Sequence, residues 1–365
     1  MSLIGMGDRS ANRTVLIHEY ATGGGLAGVK LPSYWVSEGS TMRRVLAEEF
    51  SAAGVDVVMT LDEQLPDEPG AWTVARVGPG QELAELERLS AACDATVLVA
   101  PEAGGILLER VRIIERSGKP MMGSNRGAIA LAGNKLTMAG YLELRGLPTL
   151  PTRLVDLAQG LPADLPFPIV IKPIDGAGAV DTVRIDAYGD PIPLDVIPEG
   201  EMVAQPYFPG VLLGAIFLVC NAGRVYPLTV GTQRMAFEGG RFRYEGGTLP
   251  DPDEARAKAA AELGQRALEK IPGLRGLIGV DLIAADDGKV VILEVNPRVT
   301  TSIVGLWAKL TPGRLARAWL GLLGLTDFDL EDLRRIWDDV RKTPRIDFSA
   351  AGHVRVYTSN PRGTA

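Results

Sequence analysis

Histidine and cysteine are scarce in this chain, with only His18 and His353 of the first and only Cys93 and Cys220 of the second. No CxxC or CxxxH pattern occurs, so neither a zinc site with ordinary ligand spacing nor a histidine-based triad has the residues it would need. Both cysteines stand in apolar surroundings, far apart in sequence, and read as buried free thiols of a reducing compartment. Long apolar runs are missing too. No window approaches the roughly 18 uncharged apolar residues of a membrane span, and the opening MSLIGMGDRSANR lacks the apolar centre of a signal peptide; the expected location is cytoplasmic. There is no Lys/Arg run and the formal net charge is -7, which argues against nucleic acid or an anionic membrane as partner.

What is abundant is ordinary apolar sequence, 46% of 365 residues, with 43 glycines and 25 prolines scattered rather than clustered. At roughly 150 residues per domain, two or three domains with real cores are expected. Apart from a leader of about ten residues, apolar stretches at Thr14–His18, Val55–Thr60, Trp72–Val77 and Thr96–Ala100 alternate with helical patterns at Glu38–Ala53, Gln81–Cys93 and Ile106–Arg116, and Pro120–Gly123 reads as one more short strand. That alternation predicts a doubly wound parallel α/β domain over residues 1–125. A helical stretch from Arg126 to Arg145 and strands near Pro168–Pro173 and Thr182–Ile185 make a small lysine-bearing unit over 126–202. From 203 to 343, short strands between glycine turns, a helix near Pro252–Lys270, a hairpin around Asp286-Asp287-Gly288 and two closing helices predict a mainly antiparallel α+β unit. Residues 344–365 read as a tail with an edge strand at His353–Tyr357.

The chemistry concentrates at the second strand of that hairpin. Val290 to Leu293 are apolar, and Glu294, Asn296 and Arg298 then follow at every second position, so they share one face. A carboxylate and an amide oxygen on a rigid strand suit a hard divalent cation, and Asp281 on the partner strand supplies a third oxygen ligand. Arg298 suits a phosphate held against that metal. Lys172 ends an otherwise apolar strand just before Asp175-Gly176-Ala177-Gly178, a lysine and a flexible loop fit to cover phosphates; Lys135 follows Asn134 in the preceding helix. Gly23-Gly24-Gly25-Leu26-Ala27-Gly28 satisfies G-x-G-x-x-G, the dinucleotide pattern. No amphipathic helix follows it directly, and no acidic residue ends a second strand about 20 residues on.

In order, Lys135, Lys172 with its glycine loop, Val203-Ala-Gln205-Pro-Tyr207-Phe208, Asp281 and Glu294-x-Asn296-Pro-Arg298 closely resemble the ATP-grasp superfamily of carboxylate-amine ligases, from Asn134 to Thr301. The resemblance implies ATP held between the small subdomain and the larger sheet by Lys135, Lys172, Asp175, Gly176 and Gly178, with Gln205, Tyr207 and Phe208 at the adenine. It further implies magnesium or manganese on Asp281, Glu294 and Asn296, with Lys172 and Arg298 serving catalysis at the phosphates and the acyl phosphate. It is compatible with a homodimer. Two departures stand out: Gln205-Pro206 at the hinge, and Leu212 where many relatives carry the ribose-binding glutamate.

Glu19-Tyr20-Ala-Thr-Gly-Gly-Gly25, Glu38-Gly39-x-x-Met42, Pro227-Leu-Thr-Val-Gly-Thr-Gln233-Arg234 and Tyr244-Glu-Gly-Gly247-Thr-Leu-Pro250 resemble the branch of that superfamily containing tyramine-glutamate ligase of methanofuran biosynthesis. An amino acid and an aromatic amine are the substrates this implies, with Gly24, Gly25, Gln233, Arg234 and Arg298 as candidate contacts. A nucleotide-binding protein without ligase activity, or a ligase of another amino-acid pair, is the alternative.

Overall fold

The computed structural model describes residues 13–156, 160–192 and 200–357; the leader expected at the N-terminus and the last eight residues lie outside them. The chain opens with β1 (Thr14–Glu19), α1 (Ser33–Ala52), β2 (Asp56–Asp62), β3 (Trp72–Val77), α2 (Glu82–Ala92), β4 (Ala95–Val99) and α3 (Ile106–Arg116). The four strands pair in parallel in the order β3-β2-β1-β4. Val15, Ile17 and Val97 pack under Val45, Leu46 and Phe50 of α1, and Leu16 and Leu98 pack with Leu86, Val111 and Ile114 of α2 and α3. Burial on both faces explains why these strands read as unbroken apolar runs.

Two local expectations change. Pro120–Gly123 forms no strand of its own, only a parallel bridge between Thr96 and Met121. The loop at 21–25 folds into a tight turn in which Gly24 has φ of 107°, and a Cβ there would lie 2.3 Å from Val77 Cγ1. The glycines therefore pack the turn onto β3 and leave no open phosphate cradle, and the next helix begins only at Ser33, after Pro32. The dinucleotide reading has no structural basis.

The second half begins with α4 (Arg126–Ala132) and α5 (Lys135–Glu143), which split the single helix expected there. Asn125 and Asn134 cap them, each side chain accepting from the backbone N–H three residues on at 2.9 Å. Then come β5 (Arg153–Val155), β6 (Ile169–Pro173), β7 (Val183–Ile185), β8 (Met202–Pro206), β9 (Val211–Val219), β10 (Val225–Glu238), β11 (Arg241–Leu249), α6 (Glu254–Leu268), β12 (Gly276–Ala284) and β13 (Val290–Asn296). The chain closes with α7 (Ile303–Trp307), α8 (Arg314–Leu322), α9 (Leu330–Lys342), β14 (Ile346–Phe348) and β15 (Val354–Val356).

These strands form one antiparallel sheet of eleven, in the order β13-β12-β9-β10-β11-β7-β6-β8-β5, with β14 paired to β11 and β15 to β14. A single pair, Arg241 with Val183, joins the β10–β11 hairpin to the small β5–β8 unit, so the cleft between them is bridged at the hairpin tip. The two halves of the chain are locked through Glu49 of α1. Its buried carboxylate accepts N–H groups of Gly313, Leu315 and Ala316 at the start of α8, at 3.0, 2.7 and 3.3 Å.

A second buried carboxylate supports the first sheet. Glu82 accepts from Arg110 Nε and Nη2 at 2.7 and 2.6 Å and lies 2.9 Å from His18 Nε2, whose other nitrogen meets Thr60 Oγ1 at 2.8 Å. Burial would raise its pKa, but the hydrogen bonds from His18 and Arg110 outweigh it and hold Glu82 at about 2. A depressed folded-state pKa contributes stability above the ordinary value of 4.5, lost as pH falls toward 2. Glu82→Ala, which leaves buried Arg110 with only the largely exposed Glu109 as a charged partner, at 3.1 Å, is expected to cost about 3 kcal/mol in urea unfolding at pH 7. The deficit relative to wild type should shrink as the pH falls from 4.5 toward 2, and a constant deficit would contradict the assignment.

Candidate active site

Asp281 and Glu294 are directly paired across β12 and β13, as are Gly279 and Asn296, so all three polar side chains leave the sheet on one face. Asp281 is held on both oxygens: Gln233 Nε2 donates to Oδ1 at 2.7 Å and Asn296 Nδ2 to Oδ2 at 2.9 Å. Donating its nitrogen leaves the Asn296 amide oxygen available to a cation. Burial and the neighbouring Glu294 charge push Asp281 well above the usual carboxylate range. Burial would raise Glu294 as well, yet Lys135 and Lys172 outweigh it and Glu294 stays low.

Two half-buried carboxylates face to face repel each other, which is the setting a divalent cation relieves. Among the described residues no group of three His, Cys, Asp or Glu side chains gathers as a complete metal cage. Two carboxylates and one amide oxygen fit a magnesium-type ion that completes its shell with phosphate oxygens and water.

Lys172 approaches from the small β5–β8 unit and Lys135 from α5, which packs on the larger sheet. Lys135 is the first residue of α5; its Nζ lies 3.5 Å from Glu294 Oε2 and donates to Gly176 O of the glycine loop. Lys172 leaves the end of β6, where burial lowers its pKa to about 8 against the upward pull of Glu294. Arg298 follows β13. Its Nε and Nη2 donate to Glu102 Oε2 at 3.1 and 2.9 Å and its Nη1 to Val299 O at 3.1 Å.

Lys135, Lys172, Asp281, Glu294, Asn296 and Arg298 line one cavity of about 350 Å³. Gly176, Gly178, Gln205, Tyr207, Phe208 and Gln233 border the same space. Leu150, Ile283, Phe208, Leu212 and Leu293, packed over buried Val291, form an apolar side of the cavity suited to a purine. At the hinge, Pro206 has no N–H and Tyr207 N–H is given to Pro168 O at 2.8 Å. The Phe208 N–H has no backbone partner among the described residues and is the donor free for a base. Gln205 is buried, its Nε2 donating to Thr152 Oγ1 at 2.9 Å.

Four candidate residues stand apart from the cavity. Asp175 accepts the Gly104 N–H at 2.8 Å, tying the glycine loop to the loop after β4. Arg234 donates to the carbonyls of Gly247 and Phe348, both at 3.0 Å, and so fastens β14 to β11. Gly24 is closed off by Val77, and Gly25 by the ring of Tyr20. Gln233 does border the cavity, but its amide orients Asp281.

Sequence reading gave no role to Glu102, Tyr34, Thr301 or Ser302, although Glu102 bonds Arg298 and the other three border the cavity. No local pattern marks them. Glu38 and Tyr244, which also border it, were visible only as parts of glycine-marked motifs.

Residues 132–302 match a family model described as ATP-grasp domain, and residues 55–129 one described as pre ATP-grasp 3 domain. The tyramine–L-glutamate ligase of Methanocaldococcus fervens is 27% identical over 213 residues, 58% of this chain and 61% of that protein. The D-alanine–D-alanine ligase of an Anaeromyxobacter species is 29% identical, over 55% of this chain and 68% of that protein. Among solved structures, an ATP-grasp superfamily protein from Archaeoglobus fulgidus superposes with a TM-score of 0.65 at 22% identity, covering 85% of this chain and 88% of that one. The match to the tyramine ligase thus spans about three-fifths of that protein's length.

Proposed function

We propose that this chain, an ATP-grasp superfamily protein resembling the tyramine-glutamate ligase branch, is an ADP-forming ligase that joins the carboxylate of L-glutamate to tyramine or a related aromatic amine. The observation that carries the reading is the convergence of Asp281, Glu294 and Asn296 with Lys135, Lys172 and Arg298 in one cleft between two sheet units. Such a cleft supplies positive charge and positioning and needs no protein nucleophile, which suits a chain with only two histidines.

In the proposed reaction a substrate carboxylate oxygen attacks the γ-phosphorus of ATP, and the bond to the β-phosphate oxygen breaks to give an acyl phosphate and ADP. The amine then attacks the acyl carbon, phosphate departs with the bonding pair, and the nitrogen loses a proton to give the amide. A divalent ion on Asp281, Glu294 and Asn296 would neutralise phosphate charge. Lys135 and Lys172 hold phosphate oxygens, and Arg298 faces the acyl phosphate. The apolar side of the cavity at Phe208 and Leu212 receives the base, and the absence of an acid at Leu212 leaves the ribose to other contacts.

The test is ADP release with ATP, magnesium, L-glutamate and a panel of amines including tyramine and tyrosine, with products weighed by mass spectrometry. The expected outcome is ADP only when glutamate and one aromatic amine are both present, with an amide of the summed mass less water. ADP with a different amino-acid pair would keep the ligase and replace the substrates. No ATP binding at all would overturn the reading.

A further inference from the structure

Two carboxylates border the cavity that the phosphate chemistry leaves unused: Glu19 at the end of β1 and Glu38 in α1. They are neighbours, since a Cβ built on Gly39 would lie 2.4 Å from Glu19 Oε2. Glu19 is fixed by its own turn, accepting from Ala21 N at 3.1 Å, Thr22 N at 2.8 Å and Thr22 Oγ1 at 2.5 Å. Glu38 accepts from Thr301 Oγ1, across the junction between the two halves of the chain. Among the described residues neither glutamate forms an ion pair. The cation whose charge Glu38 feels, Arg298, is already bonded to Glu102.

Burial raises Glu38 above the usual carboxylate range, as expected of an acid lacking a counter-ion of its own. Beside it lies Tyr34, whose buried hydroxyl faces the Glu38 carboxylate. Tyr244 feels the Glu38 charge, and Trp35 and Phe242 border the same cavity. A carboxylate without an ion-pair partner, a tyrosine hydroxyl beside it and aromatic faces around one cavity together describe a receptor for an organic ammonium group.

We propose that Glu38, steadied by Thr301 and backed by Glu19, anchors a primary ammonium group of a substrate, with Tyr34, Trp35, Phe242 and Tyr244 receiving the carbon skeleton that carries it. This rests on the ligase reading and deepens it. An ammonium group could come from the amine that attacks or from the α-amino group of the amino acid that is activated. The aromatic wall favours the first, and the chemistry of the anchor is common to both.

Titration calorimetry without turnover tests this on the full chain, with tyramine against 4-ethylphenol and L-glutamate against glutarate, each pair differing by the ammonium group. The wild type should bind at least one ammonium compound about tenfold or more tighter than its control, and Glu38→Gln should erase that preference while its ATP affinity stays within about twofold. Loss confined to tyramine places the attacking amine at Glu38; loss confined to glutamate places the activated amino acid there. Should Glu38→Gln fold poorly, Glu38→Asp retains the charge one methylene back and should show a partial loss. A preference that persists in both variants, or a wild type with no preference in either pair, would overturn the proposal. ATP binding measured in the same proteins separates the two readings: its absence sinks the ligase, and its presence without ammonium preference sinks the anchor alone.

Discussion

Glu294→Gln should lower ATP-dependent ADP formation about a thousandfold, in the range expected when one preorganised electrostatic partner is removed from a phosphoryl-transfer site. Two losses combine. The cation site keeps Asp281 alone as a charged ligand, and glutamine is a weak, neutral substitute opposite it. Lys172, already lowered to about 8 by burial, also loses the carboxylate that holds its pKa up, so a larger fraction is neutral at pH 8. The same change removes the repulsion between paired carboxylates, and glutamine is isosteric, so the melting temperature should move by only a few degrees. A coupled ADP assay and a thermal melt on the same preparation check both halves. Wild-type turnover in the variant would remove Glu294 from the metal set.

The parallel sheet and the β12–β13 hairpin were legible because burial leaves a direct mark: runs such as Val290 to Leu293 admit few other placements. Metal-ligand candidates were legible for the same reason, since polar residues at alternate positions on an apolar strand share a face. Residues whose role depends on partners far away in the chain were not. Glu102 meets Arg298 across 196 positions and Glu38 meets Thr301 across 263, and no local period encodes either meeting. Arg234 shows the opposite error. A conspicuous Gln-Arg pair suggested substrate contact, but the arginine is taken up by the carbonyls of Gly247 and Phe348, groups supplied by strand pairing that only the fold reveals.

The glycine run at 23–25 misled in a related way. Spacing alone cannot tell a loop that opens to a phosphate from a turn closed on a neighbour, and here Val77 occupies the space. The short strands expected between glycine turns are longer here: β10 runs to Glu238 and β11 begins at Arg241, so the hairpin reaches the small unit. The order Thr232-Gln-Arg-Met-Ala-Phe-Glu238 lacks the period-two alternation that would have marked that continuation.

Arg298→Lys should reduce turnover about a hundredfold with little change in the Michaelis constant for ATP, because the guanidinium acts on the group being transferred rather than on the bound nucleotide. Its geometry explains why lysine is no substitute. Three of the five N–H groups are committed, two to Glu102 and one to Val299 O, which leaves one N–H on each terminal nitrogen to face phosphate oxygens together. Glu102 thus orients the fork without occupying it, and both partners are nearly buried, with side-chain exposures of 7% and 12%. Glu102→Gln keeps an acceptor but removes the charge, and should lower turnover by a smaller factor, about tenfold. Since Glu102 acts only through Arg298, adding Glu102→Gln to Arg298→Lys should cost little more than the arginine change alone. Steady-state kinetics on the four proteins decide it. Independent, multiplying losses would mean that Glu102 touches the reaction by another route, for which its loop, bonded through Gly104 to Asp175 of the glycine loop, is the physical candidate.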